Sequence, residues 1–313
     1  MSFSGQLITG ELESYDWQHR DTAELLYLAH KAMVSTVGRR FELCGITNAK
    51  SGKCSEDCKF CAQSSRYSTS SPIYPLKDKD TMLMEAGRAR EIGADRIGIV
   101  TSGRGIGQRD LDVITETVMA VKQDTGMQVC ASLGVLDKAA LSMLRDAGLT
   151  RFHHNIETSR NFYPQVVSTH SFDDRVQTIK AAQEVGLEVC SGGIIGLGED
   201  ESDRVSMALT LRDLGVKSVP INILVPIKGT PFANNKPLSV AEILRTIAIF
   251  RLILGDKTIK IAAGRETALG DFQGMAFWSG ANGMIIGGYL TIDGREAEKD
   301  LRLVEEWERL CIG

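Results

Sequence analysis

Three cysteines stand within eight residues in Cys54-Ser-Glu-Asp-Cys58-Lys-Phe-Cys61, and no fourth lies near them. Cysteine thiolates are the usual ligands of iron–sulfur clusters. Three of them on a four-iron cube leave one iron with an open coordination position. A structural zinc site is the bland alternative, but such sites are normally closed by four ligands in paired short spacings. Neither a second cysteine pair nor a matching histidine pair follows here, and His153 and His154 are too close together and too isolated to act as one. A disulfide framework fits less well still, since the chain holds seven cysteines, an odd number, with three of them crowded together.

Elements able to position such a loop are legible from Arg40 onward, where short apolar β-branched runs alternate with segments of helical period. Eight strands are predicted, near 41–47, 96–101, 128–133, 151–156, 188–194, 218–224, 257–262 and 283–287. Helices are predicted over 81–92, 111–122, 139–147, 173–185, 202–214, 240–253 and 297–310, with Asp173, Ser202 and Ser239 as N-caps. Eight βα units at this length imply an α/β fold, a complete (β/α)8 TIM-type barrel, with its active site at the C-terminal ends of the strands. An open doubly wound sheet is the alternative. No low-complexity stretch or linker divides the chain, so residues 1–313 read as one domain. Residues 1–39 read as a helical extension, amphipathic over 22–37, that closes one end of the barrel.

Cys44, Cys130 and Cys190 fall in predicted strands one, three and five. Alternate strands of a barrel send side chains into the same interior layer, so three odd-numbered strands can aim at one spot. Arg265, at the end of strand seven, adds a cation that would offset buried thiolate charge. The site so formed would hold a second metal group. Singly, each cysteine reads as inert core packing, and Cys311 reads as incidental.

The cysteine motif after a first barrel strand is the signature of the radical S-adenosylmethionine (SAM) superfamily, and the chain resembles its biotin synthase family. Matching segments include Asn48-Ala-Lys-Ser-Gly-Lys-Cys54, Gln63-Ser-Ser-Arg-Tyr67, Cys130-Ala-Ser-Leu-Gly134, His154-Asn-Ile-Glu-Thr-Ser159, Cys190 through Glu199, Val219-Pro-Ile-Asn222, Lys228-Gly-Thr-Pro231 and Ala263-Gly-Arg-Glu266. The resemblance implies that Cys54, Cys58 and Cys61 hold a catalytic 4Fe–4S cluster whose open iron binds SAM. It implies a 5'-deoxyadenosyl radical that abstracts hydrogen from two carbons of dethiobiotin, with sulfur supplied by an auxiliary cluster. It also implies SAM contacts from Phe60, Glu157, Arg175, Gly192, Gly193 and Ile194, and substrate contacts from Asn155 and Asn222. A reductant such as flavodoxin or ferredoxin and a homodimer belong to the same implication.

The chain departs from that family in several places. The familiar auxiliary site is a 2Fe–2S cluster held by three cysteines and an arginine, but the strand-two cysteine is replaced by Gly98 while Cys44 appears in strand one. Cys44, Cys130, Cys190 and Arg265 are therefore the expected auxiliary set, for a 2Fe–2S or larger cluster. Glu157 stands for the usual Asp, and His153 for the usual Asn. Within the superfamily the rivals are methylornithine synthase and the hydrogenase-maturation enzyme. From another class, a non-catalytic iron–sulfur carrier would share the thiols but would not cleave SAM.

A net charge of −4 with 24% charged residues leaves no basic footprint for nucleic acid or an anionic membrane. The chain shows neither an apolar run of about 18 residues nor the regions of a signal peptide, which makes a cytoplasmic location the expectation.

Overall fold

The computed structural model describes residues 16–288, 290 and 294–311 of the 313-residue chain. The β-branched runs form β1 (Glu42–Lys50), β2 (Arg96–Thr101), β3 (Gln128–Ser132), β4 (Arg151–His153), β5 (Glu188–Cys190), β6 (Gly193–Ile195), β7 (Ser218–Ile223), β8 (Thr258–Ile261) and β9 (Gly283–Ile285). All pair in parallel, and the β1–β9 pairing Glu42↔Gly283 closes the sheet into a barrel. β5 and β6 are two pieces of one barrel strand, interrupted at Ser191 and Gly192; Cys190 pairs with Ser218 and Gly193 with Ile221. The fold is thus an eight-stranded (β/α)8 barrel whose fifth strand is broken.

Strands covered on both faces must be apolar nearly throughout. Ile97, Ile99, Val219 and Ile259 are accordingly buried to within 1%, and each such side chain contributes about 1.5–3 kcal/mol over an exposed one.

The helices are α1 (Thr22–Thr36), α2 (Lys79–Glu91), α3 (Gln108–Thr125), α4 (Lys138–Asp146), α5 (Tyr163–Val166), α6 (Phe172–Glu184), α7 (Glu201–Asp213), α8 (Val240–Leu254), α9 (Arg265–Leu269), α10 (Gln273–Trp278) and α11 (Ala297–Leu310). Their starts lie on the same face of the barrel as the strand ends, and side chains cap several of them, among them Asp21, Asp78 and Asp137. Ser171, Asp200 and Ser239 each close a capping box with the residue three positions on. Ser239 agrees with the sequence reading, whereas the caps expected at Asp173 and Ser202 lie two residues earlier. Asp173 instead occupies the first turn, where the helix dipole favours an acid.

Among the described residues, the extension does not close the barrel's end. Arg245 in α8 donates to the carbonyls of Trp17 and Arg20, while Thr36 reaches the carbonyl of Gly255 past the end of α8, so α1 runs along the barrel's flank beside α8. Covered by the sheet on one side and α1 on the other, α8 buries Ile243, Ile247, Phe250 and even Arg251. Residues 1–15 of that extension lie outside the described residues. Among the described residues no helix is long and apolar enough to cross a membrane.

Candidate active site

The loop after β1 is pinned at both ends. Cys54 N–H donates to Gln63 O at 3.1 Å and Ser65 N–H to Cys54 O at 2.8 Å, while the Gln63 carboxamide oxygen accepts from Ser51 Oγ and Gly52 N–H. Gly52 and Lys53 both take positive φ, 76° and 52°, which turns the chain so that Cys54 faces inward. From the other side, Asp57 accepts from the backbone N–H groups of Ser168 and Thr169 at 2.9 and 3.1 Å, and Glu56 accepts from Thr169 Oγ1 at 2.7 Å. These bonds to the carboxylate hold Asp57 well below the usual acid range, although burial opposes them. Burial pushes the Cys61 thiol up to about 11 and the Cys58 thiol upward as well. A cationic iron core would offset that cost by taking them as thiolates.

Cys54, Cys58 and Cys61 line one cavity of about 420 Å³ together with Cys44, Cys130 and Cys190. Phe60, Asn155, Glu157, Arg175, Ile194 and Asn222 line it too. Cys44 lies in register with Arg96, two residues nearer the barrel floor than Ile46, which pairs with Gly98; Gly98 in turn pairs with Cys130. Six thiols thus face one space in two groups, one in the mouth loop and one on strands of the barrel wall. Donor chemistry of this kind suits iron–sulfur clusters at both places.

Charged side chains that the sequence reading passed over form the floor. Glu42 accepts from Lys260 at 2.6 Å, Arg151 at 2.7 Å and Arg96 at 3.0 Å, and Glu188 pairs with Arg151 at 2.9 Å. Lys260 Nζ is 3.0 Å from Cys44 Sγ. Burial pushes the Cys44 thiol up to about 12 in spite of Lys260. Burial also opposes ionisation of Cys190, yet Lys260, His153 and Arg151 bring its thiol down to about 6. His153 is the register partner of Cys190. A lysine inside an apolar strand, as in Thr258-Ile-Lys-Ile261, was the one available signal.

Arg265 is not part of this set. Gly264 turns the chain at φ 85°, so Arg265 begins α9 instead of ending a strand. Its guanidinium meets Asp300 at 2.5 Å and Glu266 at 3.2 Å and donates to Ile285 O at 3.3 Å, tying α9 to α11 and β9, and Arg265 does not line the cavity. Lys260 is the cation that stands beside the thiols.

The two glycines closing strand five serve the protein's own packing. A Cβ at Gly192 would lie 1.9 Å from Pro220 O, and one at Gly193 2.3 Å from Glu157 O. Neither lines the cavity, whereas Ile194 does. Asn155 Oδ1 accepts from Gly192 N–H at 3.1 Å; Asn222 donates to Gly193 O at 3.1 Å and accepts from Ala263 N–H at 3.2 Å. Each of these amide groups has a further donor hydrogen or lone pair left for a ligand. Arg175 donates to the Tyr163 hydroxyl at 3.1 Å and lies 3.6 Å from Glu157, whose backbone φ is 68°. This arrangement presents one cation and one carboxylate to the cavity between the mouth loop and the wall.

Comparison with known proteins gives consistent results. The radical SAM superfamily matches residues 49–211, and the biotin and thiamin synthesis associated domain matches residues 220–309. A biotin synthase of Thermotoga petrophila is 51% identical over 286 residues, covering 91% of this chain and 94% of the relative. One of Thermotoga neapolitana is 54% identical over 272 residues, covering 87% and 97%. The crystal structure of a methylornithine synthase shares the fold with a TM-score of 0.82 at 20% identity, over 97% of this chain and 93% of the other.

Proposed function

The chain belongs to the biotin synthase family of radical SAM enzymes, and we propose how its own residues divide the conversion of dethiobiotin to biotin. Cys54, Cys58 and Cys61 hold the 4Fe–4S cluster. Bound there, cluster and SAM together supply the 5'-deoxyadenosyl radical. Arg175 pairs with the SAM carboxylate, Glu157 with its ribose, and Phe60 packs by its adenine. Asn155 and Asn222 offer the ureido ring of dethiobiotin a donor and an acceptor each. Cys44, Cys130 and Cys190 hold the auxiliary, sulfur-giving cluster, 2Fe–2S or larger, with Cys44 in place of a strand-two ligand. One observation carries this reading: both thiol groups line a single cavity, which the SAM and substrate residues line as well.

The same reading takes residues 1–313 as one barrel domain in a cytoplasmic homodimer reduced by a flavodoxin or ferredoxin. Anaerobic turnover of the reconstituted protein with SAM, dithionite and dethiobiotin tests it. Formation of 5'-deoxyadenosine and biotin, with loss of auxiliary sulfide, is the expected result. SAM cleavage without biotin would overturn the substrate and leave the radical chemistry standing.

A further inference from the structure

Lys260 reaches its partners across a neighbouring strand. β9 lies between β8 and β1, and Gly283 of β9 is the register partner of both Lys260 and Glu42. Gly283 has no side chain, and a Cβ there would come within 2.9 Å of Lys260 Cγ and 2.8 Å of Glu42 O. The lysine stem therefore lies over β9 and delivers its ammonium to β1, 3.0 Å from Cys44 Sγ and 2.6 Å from Glu42 Oε1. Lys260 is 4% exposed, and an isolated lysine at such a place would lose its proton. Here the Glu42 carboxylate, 2.6 Å from Nζ, supplies the opposite charge that a buried ammonium needs. A charged ammonium has three N–H donors and no lone pair for iron, so the geometry is that of a donor to sulfur.

Resting on the assignment of Cys44, Cys130 and Cys190 to the auxiliary cluster, we propose that Lys260 is a charged hydrogen-bond donor to that cluster, oriented by Glu42, and that the two set its reduction potential in opposite directions. The ammonium favours added negative charge, and the carboxylate opposes it. Both lie within a few ångströms of the thiolates and away from bulk water, where such charges act strongly. Glu42 is a positioning residue in this scheme. By accepting from Lys260, Arg151 and Arg96 together, it fixes where the ammonium points.

The test is an anaerobic redox titration of the auxiliary cluster in Lys260→Met, Lys260→Arg and Glu42→Gln, followed by electron paramagnetic resonance, with the Cys54/Cys58/Cys61 cluster as internal reference. Lys260→Met should move the auxiliary potential negative and Glu42→Gln positive, Lys260→Arg should stay near the parent, and the reference cluster should not move. Unchanged potentials, or shifts of one sign in both charge-removing variants, overturn the proposal, since general loosening has no reason to separate them by sign. If Lys260→Met loses the cluster, Glu42→Gln decides: a positive shift supports the pair, and no shift or a negative one overturns it. A Cys44→Ala variant with an intact auxiliary cluster would instead overturn the ligand assignment, which keeps the two failures distinguishable.

Discussion

Glu56 Oε2 accepts from His170 Nδ1 at 2.6 Å, and the other ring nitrogen of His170 accepts from Arg175 at 2.8 Å. The cysteine loop, the segment following α5 and the arginine assigned to SAM are joined through one imidazole. Since Arg175 can only donate, the ring carries its proton on Nδ1. Burial, and then the charge of Arg175, lowers the His170 pKa, so the ring works as a neutral relay.

Glu56→Gln should weaken this tether by about 1.5–3 kcal/mol, the range for a hydrogen bond to a charged group. Iron and acid-labile sulfide retained through gel filtration should fall at the mouth cluster, while the auxiliary cluster keeps its spectrum.

His154 is 3% exposed, and burial holds its pKa well below the ordinary value. His170 is shifted in the same direction. For a group whose folded pKa is lowered, the unfolded chain takes up the proton first as pH falls. Stability is therefore constant above about pH 7 and declines below about 6.5, by at most about 1.4 kcal/mol per pH unit for each such histidine. Thermal unfolding between pH 7.5 and 5.5 should show this decline, and His154→Gln should reduce its slope.

Cys44→Ala should remove the auxiliary cluster. A Cβ at Gly98 would meet Ile46 Cγ2 at 3.4 Å, an ordinary contact. Adding Gly98→Cys to Cys44→Ala should therefore fold and restore an auxiliary cluster in strand two. Mössbauer spectra of the single and double variants give the comparison, and an empty auxiliary site in a folded double variant would count against the ligand move.

Arg265→Met should destabilise the protein by about 3–5 kcal/mol, because it leaves the buried Asp300 carboxylate without its main partner. The auxiliary cluster's Mössbauer spectrum should not change in the protein that remains folded. A changed spectrum would return Arg265 to the ligand set.

Most of the barrel was legible because strands covered on both faces must be continuously apolar and helices between them must be amphipathic. Its interruption at Ser191 and Gly192 was not, because it arises from the approach of Pro220 O, which lies far off in sequence. The mouth triad could be read from spacing alone, and the wall cysteines from strand parity. Arg265 was misplaced because strand and helix are separated there by only three residues, the last of them the left-handed Gly264. Lys260 was overlooked because a lysine in a strand usually marks a solvent face, and only barrel closure turns it toward the thiols. The path of α1 along α8 depends on Arg245 reaching backbone carbonyls, which no side-chain pattern announces.

The floor of ion pairs also governs traffic. Glu42, Arg96, Arg151 and Lys260 have side chains no more than 17% exposed, and together they stop the barrel at its lower end. Among the described residues, the cavity above this floor runs past the wall thiols up to the cysteine loop. Entry by that mouth would put a sulfur source and the departing product on one path, so that refilling follows release.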